Sequence, residues 1–385
     1  MPARNPILEI DLAALCANYR AMAAAVPRAR PAAVVKCDAY GLGAAAVATA
    51  LKEKENCRSF FVAYPEEGAE LRSAIGGDAD IYVFNGPFDE TLAAYRAFAL
   101  TPVLNSLEQA ALWAREMPGK PAAAHFDTGM HRLGLSLADF DRVRAIGGLN
   151  IAVIMSHLAC ASDPKNPMNA RQLAAFSAAA AQFPAAQKSL SSSGGALIGE
   201  DFGFDLVRLG VGLYGVNPHD SGPSPARPVA RLTAPVIQVH AMSAGETVGY
   251  GATFSATRRS VLATVALGYG DGFPRSGSNQ ASALLGGILC PVAGRVSMDL
   301  IVLDATDAER TPKIGDEAEF FGPGLSIDGA AASCGTIGYE LLTNIGGLAR
   351  PRAAVNGAGL GGRLQRRYLW NGAPAGEALA RAEGN

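Results

Sequence analysis

The chain has 385 residues, of which 49% are hydrophobic and 18% charged, and its formal net charge is -2. That length exceeds one ordinary core and calls for two domains, or one large barrel with a smaller unit. The near-zero charge, with no Lys/Arg runs between the two parts described below, excludes the electrostatic footprint of a nucleic-acid or anionic-membrane binder. The amino terminus, MPARNPILEIDLAAL, has no long apolar run and no small-residue cleavage site, so no secretory leader is expected. Later apolar segments are broken by charge or Gly well short of about 18 residues, so no membrane span is expected. Cys16, Cys37, Cys57, Cys160, Cys290 and Cys334 are scattered without a Cys-x-x-Cys pair, the pattern of a reduced, cytoplasmic chain. The five histidines do not pair at ligand spacing with acids or cysteines, and no metal centre is expected.

Eight short apolar runs read as strands in chain order: AVVK (33–36), FFVA (60–63), IYVF (81–84), TPVLN (101–105), AAAHFD (122–127), NIAVIMS (150–156), KSLSS (188–192) and LVRLGVGLYGV (206–216). Between them lie segments such as AAAVATALKEKE, EEGAELRSAI, LEQAALWARE and NARQLAAFSAAAAQF, built from strong helix formers. Short strands alternating with helices imply a parallel sheet, and eight such units in about 215 residues is the size of a (β/α)8 barrel. A doubly wound open sheet is the alternative, although no glycine-rich dinucleotide fingerprint follows the first strand. SGPSPARP at 221–228 reads as a linker. Beyond it the helical runs nearly vanish, and APVIQVHAM, SVLATVALG, GRVSMDLIVLDA and GDEAEFFG are β-rich. The expected division is a barrel over 1–225 and a mostly β domain over 226–385. The first few residues are a candidate for packing with the second domain, and the tail from about 371 is expected to fray.

The chemistry begins at AVVKCDAYGLG (33–43), where an apolar strand ends on Lys36 and a Gly-rich turn carries Tyr40. Strand ends of this kind point into the active site of a barrel. A lysine amine there, among apolar and cationic neighbours, is a nucleophile suited to condensing with an aldehyde. Taken alone, Lys36 reads better as a solvent-facing strand end.

Six later strings join it: DTGMHRLG (127–134), VRLGVGLYG (207–215), YGATF (250–254), GYGDGFPR (268–275), GRVSMD (294–299) and GTIGYE (335–340). Together with the first ten residues, and in this order over nearly the whole chain, they resemble alanine racemase, a fold-type III pyridoxal phosphate (PLP) enzyme. The resemblance implies a barrel followed by a β domain, PLP as cofactor, and a homodimer with an active site shared between subunits. The implied reaction interconverts L- and D-alanine, either to supply peptidoglycan or for catabolism. Lys36 resembles the Schiff-base lysine and one of two catalytic bases. Tyr250 resembles the opposed base, supplied by the partner subunit, and needs cationic neighbours to act as one. Arg208 resembles the arginine at the ring nitrogen, and His157 the histidine beside that arginine. Tyr40, Ser193, Tyr339 and the amides of Gly210 and Val211 match phosphate contacts. Arg132 would position the substrate carboxylate. Met298, through its amide, Asp299 and Tyr269 would line the substrate end from the partner.

Two positions depart from the family pattern. His125 stands where many relatives carry a carbamate-modified lysine that braces the arginine, and His131 replaces a common Gly. Either an anion or His125 itself must then orient Arg132. Other readings remain open: a serine or broad-specificity racemase, a non-catalytic PLP-binding protein, and a decarboxylase of the same fold type.

Overall fold

The computed structural model describes residues 5–348 and 364–375. They divide into two compact units: Leu15–Ala39 with Gly43–Arg227, and the residues up to Ala14 with Tyr40–Leu42 and those from Pro228 on. The chain opens with β1 (Ile7–Asp11) and α1 (Leu12–Ala24).

All eight expected strands of the first unit are present: β2 (Arg30–Val34), β3 (Ser59–Val62), β4 (Asp80–Val83), β5 (Thr101–Leu104), β6 (Pro121–His125), β7 (Asn150–Met155), β8 (Gln187–Ser189) and β9 (Leu206–Leu209). Ser59–Val62 and Leu206–Leu209 are buried at every position, which is why they read as unbroken apolar runs rather than alternating ones. Neighbours pair in parallel in sequence order, and β2 pairs with β9. The Asp205 N–H donates to Lys188 O (3.0 Å) and the Arg208 N–H to Ser191 O (3.0 Å), so β9 also meets β8 and the ring closes. Closure removes the open-sheet alternative. Helices follow the strands: α2 (Ala44–Glu55), α3 (Pro65–Ile75), α4 (Leu92–Phe98), α5 (Leu107–Glu116), α6 (Phe140–Arg144), α7 (Pro167–Ala181) and α8 (Ser193–Ala196).

The second unit is mostly β. It contains β10 (Ala230–Met242), β11 (Thr247–Val248), β12 (Phe254–Ser255), β13 (Ser260–Val265), β14 (Ser282–Leu285), β15 (Ile288–Pro291), β16 (Ile301–Asp304), β17 (Glu317–Phe321), β18 (Gln365–Trp370) and β19 (Ala373–Pro374). The long strand β10 pairs with β1, β13 and β17, and a register shift between Val236 and Gln238 bends it from one set of partners to the other. The amino-terminal strand β1 also runs parallel to β18. Two helices interrupt the β texture, α9 (Ile327–Ser333) and α10 (Gly338–Leu348). Their Gly content hid them in the sequence, but Leu341, Leu342 and Ile345 make one fully buried stripe. Of the tail expected to fray, 371–375 form a turn and β19, and the rest lies outside the described residues.

Candidate active site

Lys36 does not end its strand. It opens a tight turn in which Cys37, Asp38, Ala39 and Tyr40 all have φ between 52° and 57°, one turn of left-handed helix without glycine. Each such residue costs about 1–2 kcal/mol, so the surroundings must hold the turn. Glu67, on α3, does so from one side: its carboxylate accepts the N–H groups of Cys37 (2.7 Å) and Ala63 (2.7 Å). From the other side the Asp38 carboxylate accepts the N–H of Ala44 (2.8 Å) and caps α2. The Lys36 amine lies 5.9 Å from the centre of the Phe84 ring.

Arg208, on β9, is only 2% exposed. Its guanidinium donates to Ser189 O (2.9 Å), Ser189 Oγ (2.6 Å), Ser156 O (2.6 Å), Leu190 O (3.1 Å) and His157 Nδ1 (3.3 Å). Asp205, the acid three residues before Arg208, takes the backbone N–H of Lys188 (2.8 Å). Burial without a carboxylate lowers the Arg208 guanidinium from its ordinary value to about 9. An arginine can only donate, so His157 Nδ1 accepts and its proton sits on Nε2. Burial first, then the charge of Arg208, holds His157 well below the usual histidine value.

Ser193 starts α8. Its Oγ accepts the N–H groups of Gly210 (2.9 Å) and Gly212 (3.3 Å). With both lone pairs engaged, its O–H is left to donate outward. The Gly210 amide is therefore turned onto Ser193, and the two positions form one construction around Val211.

The DTGMHRLG loop is organised by Asp127, whose carboxylate accepts the N–H groups of Gly129 (2.9 Å), Met130 (2.9 Å) and His131 (2.9 Å). Burial acts to raise this carboxyl, but those donors outweigh it and hold it below its ordinary value. Arg132, on the same loop, is exposed. His125 is buried beside Asn105, with Nδ1 2.9 Å from Asn105 Oδ1. Burial first, then Arg208, lowers its imidazole from 6.5 to about 4.

In the second unit the rings of Tyr40 and Tyr339 lie 6.2 Å apart. The backbones behind them are in close contact, since a Cβ on Gly346 would sit 2.0 Å from Gly41 O. Tyr250 lies on a short turn rather than in a strand and is 74% exposed, outside the core of its own unit. Arg295 lies against the next residue: a Cβ on Gly251 would be 3.1 Å from its Nη1. The GYGDGFPR and GRVSMD strings interlock, the Tyr269 N–H donating to Ser297 O (3.0 Å) and the Gly270 N–H to Met298 O (2.8 Å). Tyr269 and Met298 are exposed, and Asp299 lies in the same segment. The sequence alone did not single out Asn105, Ser156, Ser189 and Glu67, whose hydrogen bonds reach His125, Arg208 and the turn after Lys36, or Arg295 beside Gly251.

A PLP group fits the barrel residues. A buried guanidinium without an acid can face a ring nitrogen, and a serine O–H backed by two amides can meet a phosphate. Fold and site thus define a PLP-binding (β/α)8-barrel enzyme. Residues 10–218 match the profile of the alanine racemase N-terminal domain, and residues 229–352 that of its C-terminal domain. A catabolic alanine racemase from Agrobacterium fabrum is 47% identical over 88% of this chain and 89% of its own. Alanine racemase from Brucella abortus is 45% identical over 93% and 96%. The structure of alanine racemase from Bartonella henselae, with covalently bound pyridoxal phosphate, is 36% identical, with a TM-score of 0.85 over 95% of this chain and 99% of that one. A biosynthetic alanine racemase from Pseudomonas aeruginosa is 33% identical at the same TM-score, over 95% and 99%. The chain belongs to the alanine racemase family of PLP-dependent amino-acid racemases.

Proposed function

We propose that this enzyme interconverts L- and D-alanine with two opposed bases, Lys36 on one face of the substrate and Tyr250 of the partner subunit on the other. When bound, PLP supplies an aldehyde for the amino group and an electron-withdrawing ring that acidifies the α-proton. Inversion needs one group to remove that proton and another to return one from the opposite side, which a single lysine cannot do. The observation that carries the reading is the position of Tyr250: it is 74% exposed in a motif string, with Arg295 against its neighbour Gly251. Tyr269 and Met298, hydrogen-bonded into one segment, are exposed alongside. A second copy of the chain would cover this apolar set in a homodimer.

The Ser193 hydroxyl, the Val211 amide, Tyr40 and Tyr339 would hold the phosphate, the Gly210 amide acting through Ser193 Oγ rather than directly, and Arg208, braced by His157, would face the ring nitrogen. Because Arg208 only donates, that nitrogen keeps its lone pair. The guanidinium thereby limits how far negative charge is drawn from the substrate carbon, which suppresses transamination. Arg132 would hold the substrate carboxylate, with the Met298 amide and Asp299 at the substrate end. The six unbridged cysteines support a reducing, cytoplasmic compartment. The relatives include catabolic and biosynthetic enzymes alike, so D-alanine supply for peptidoglycan and D-alanine breakdown are both roles that this reaction serves.

The test is D-isomer formation from L-alanine and from L-serine. Lys36→Ala and Tyr250→Phe should each abolish it, with Tyr250→Phe keeping the PLP absorbance. Mixing the two inactive variants under exchange should restore about a quarter of wild-type activity, because half the dimers then carry one complete site. No recovery on mixing would refute the shared site.

A further inference from the structure

Glu67 spends its two carboxylate oxygens on different parts of the barrel. Oε2 accepts the N–H groups of Ala63 (2.7 Å) and Tyr64 (3.4 Å), at the corner where β3 turns into α3. That much is a helix cap, and one oxygen suffices for it. Oε1 reaches across to the neighbouring strand end and accepts the Cys37 N–H (2.7 Å). Capping α3 does not call for that second bond.

The N–H that Oε1 holds belongs to the Lys36–Cys37 peptide, and this peptide is a joint. Before it the chain is tied to β3, the Val35 N–H donating to Phe61 O (2.9 Å). After it the backbone is left-handed, at Cys37 (φ 52°, ψ 45°), Asp38 (φ 55°, ψ 50°) and Ala39 (φ 53°, ψ 50°). The Ala39 N–H closes the turn onto Val35 O (2.8 Å). L side chains disfavour this region, so a joint left to itself relaxes. Cys37 is exposed, and water can satisfy its N–H, but water does not fix where the peptide points. A carboxylate anchored on α3 by its other oxygen does. The atoms of a peptide are coplanar, Lys36 Cα among them, so an N–H held in one direction limits rotation about the Lys36 Cα–C bond.

We propose that Glu67 is a positioning residue for the reaction: by fixing the Lys36–Cys37 peptide it sets where the Lys36 amine stands, and so how well that amine takes and returns the α-proton. This rests on the reading of Lys36 as one of the two bases. Glu67 acts through the backbone, so its loss should slow proton transfer rather than weaken substrate binding.

The test uses the PLP-loaded enzyme with 15N-labelled cysteine, which gives one backbone amide signal for each of the six cysteines. The Cys37 signal is the one lost in Cys37→Ala. Its proton should lie downfield and exchange slowly with solvent, as a short bond to a carboxylate requires. In Glu67→Gln the amide oxygen stays with the two N–H groups of Ala63 and Tyr64, and its NH2 then meets the Cys37 N–H, donor against donor. The Cys37 proton should move upfield and exchange faster. In kinetics, kcat and kcat/KM for L-alanine should fall together by about tenfold to a hundredfold, the effect of a displaced catalytic group. Adding Cys37→Gly to Glu67→Gln separates positioning from stability. Glycine relieves the left-handed strain, so the double variant should regain most of the lost urea stability while its kcat stays low. Tyr250→Phe isolates Lys36, because one base alone exchanges the α-hydrogen of one alanine enantiomer with D2O without inverting it. Glu67→Gln should slow that exchange by the same factor.

A Cys37 amide unchanged in Glu67→Gln, a wild-type kcat in that variant, or a kcat that returns with stability on adding Cys37→Gly would overturn the proposal. Equal exchange in Tyr250→Phe with and without Glu67→Gln would overturn it alone. If Tyr250→Phe exchanges neither enantiomer, the reading of Lys36 as a base falls, and the proposal falls with it.

Discussion

Cys37 provides a direct test of the left-handed turn beside Lys36. Its φ of 52° and ψ of 45° lie in the region that L side chains avoid, and its side chain is exposed, so substitution there changes little besides backbone strain. Glycine relieves about 1–2 kcal/mol of strain, and the extra freedom of the unfolded chain takes back about 0.5–1 kcal/mol. Cys37→Gly should therefore stabilise the fold by about 0.5–1 kcal/mol. Cys37→Ala keeps the strain and should match the wild type. Cys37→Val places a β-branched side chain in the same conformation and should destabilise by about 1 kcal/mol. The N–H bond to Glu67 is present in all four proteins and cancels. Urea unfolding of the four should rank Gly above Cys and Ala, and Val last. A Gly variant less stable than the Ala variant, or a Val variant equal to the wild type, would show that the turn is not left-handed in solution.

Ser193→Ala removes the acceptor for two buried N–H groups, Gly210 and Gly212. It should cost about 1–3 kcal/mol in stability and weaken PLP binding about tenfold or more, measured by PLP titration and urea unfolding. Arg208→Glu places an acceptor at the ring nitrogen and should raise transamination, read as pyruvate formed per D-alanine formed. Acidification should destabilise the fold through its buried histidines. Above pH 6.5 His125 is neutral in both states. As pH falls, the unfolded chain takes up a proton that the folded chain refuses until about 4. At about 1.36 kcal/mol per pH unit, this lowers stability by about 2 kcal/mol at pH 5 and about 3 kcal/mol by pH 4. His157 adds a loss of the same sign. Comparing wild type with His125→Gln in urea at pH 7 and pH 5 isolates the His125 share, and equal acid losses in the two proteins would refute it.

The barrel was legible because closed parallel strands are buried on both faces, so IYVF and FFVA read as apolar runs between helical ones. The motif residues were legible as identities: Lys36, Tyr250 and Arg208 stand in strings whose order spans the chain. Helices α9 and α10 were not, because glycine-rich composition masks a helix whose buried stripe is supplied by Leu341, Leu342 and Ile345.

By itself, then, the sequence determined which segments are buried and which chemical groups are present, since both follow from residue type and local period. Only the tertiary structure decided the partners of the polar atoms. Four non-glycine residues hold a left-handed turn that Glu67, thirty positions away, braces by receiving the N–H of Cys37. Arg208 meets carbonyls and His157 instead of Asp205 because β9 closes against β8. His125 and His157 carry their protons on opposite nitrogens because one faces an amide oxygen and the other a guanidinium. A hydrogen bond is a property of two groups, and here most of the pairs that shape the site are far apart in the chain.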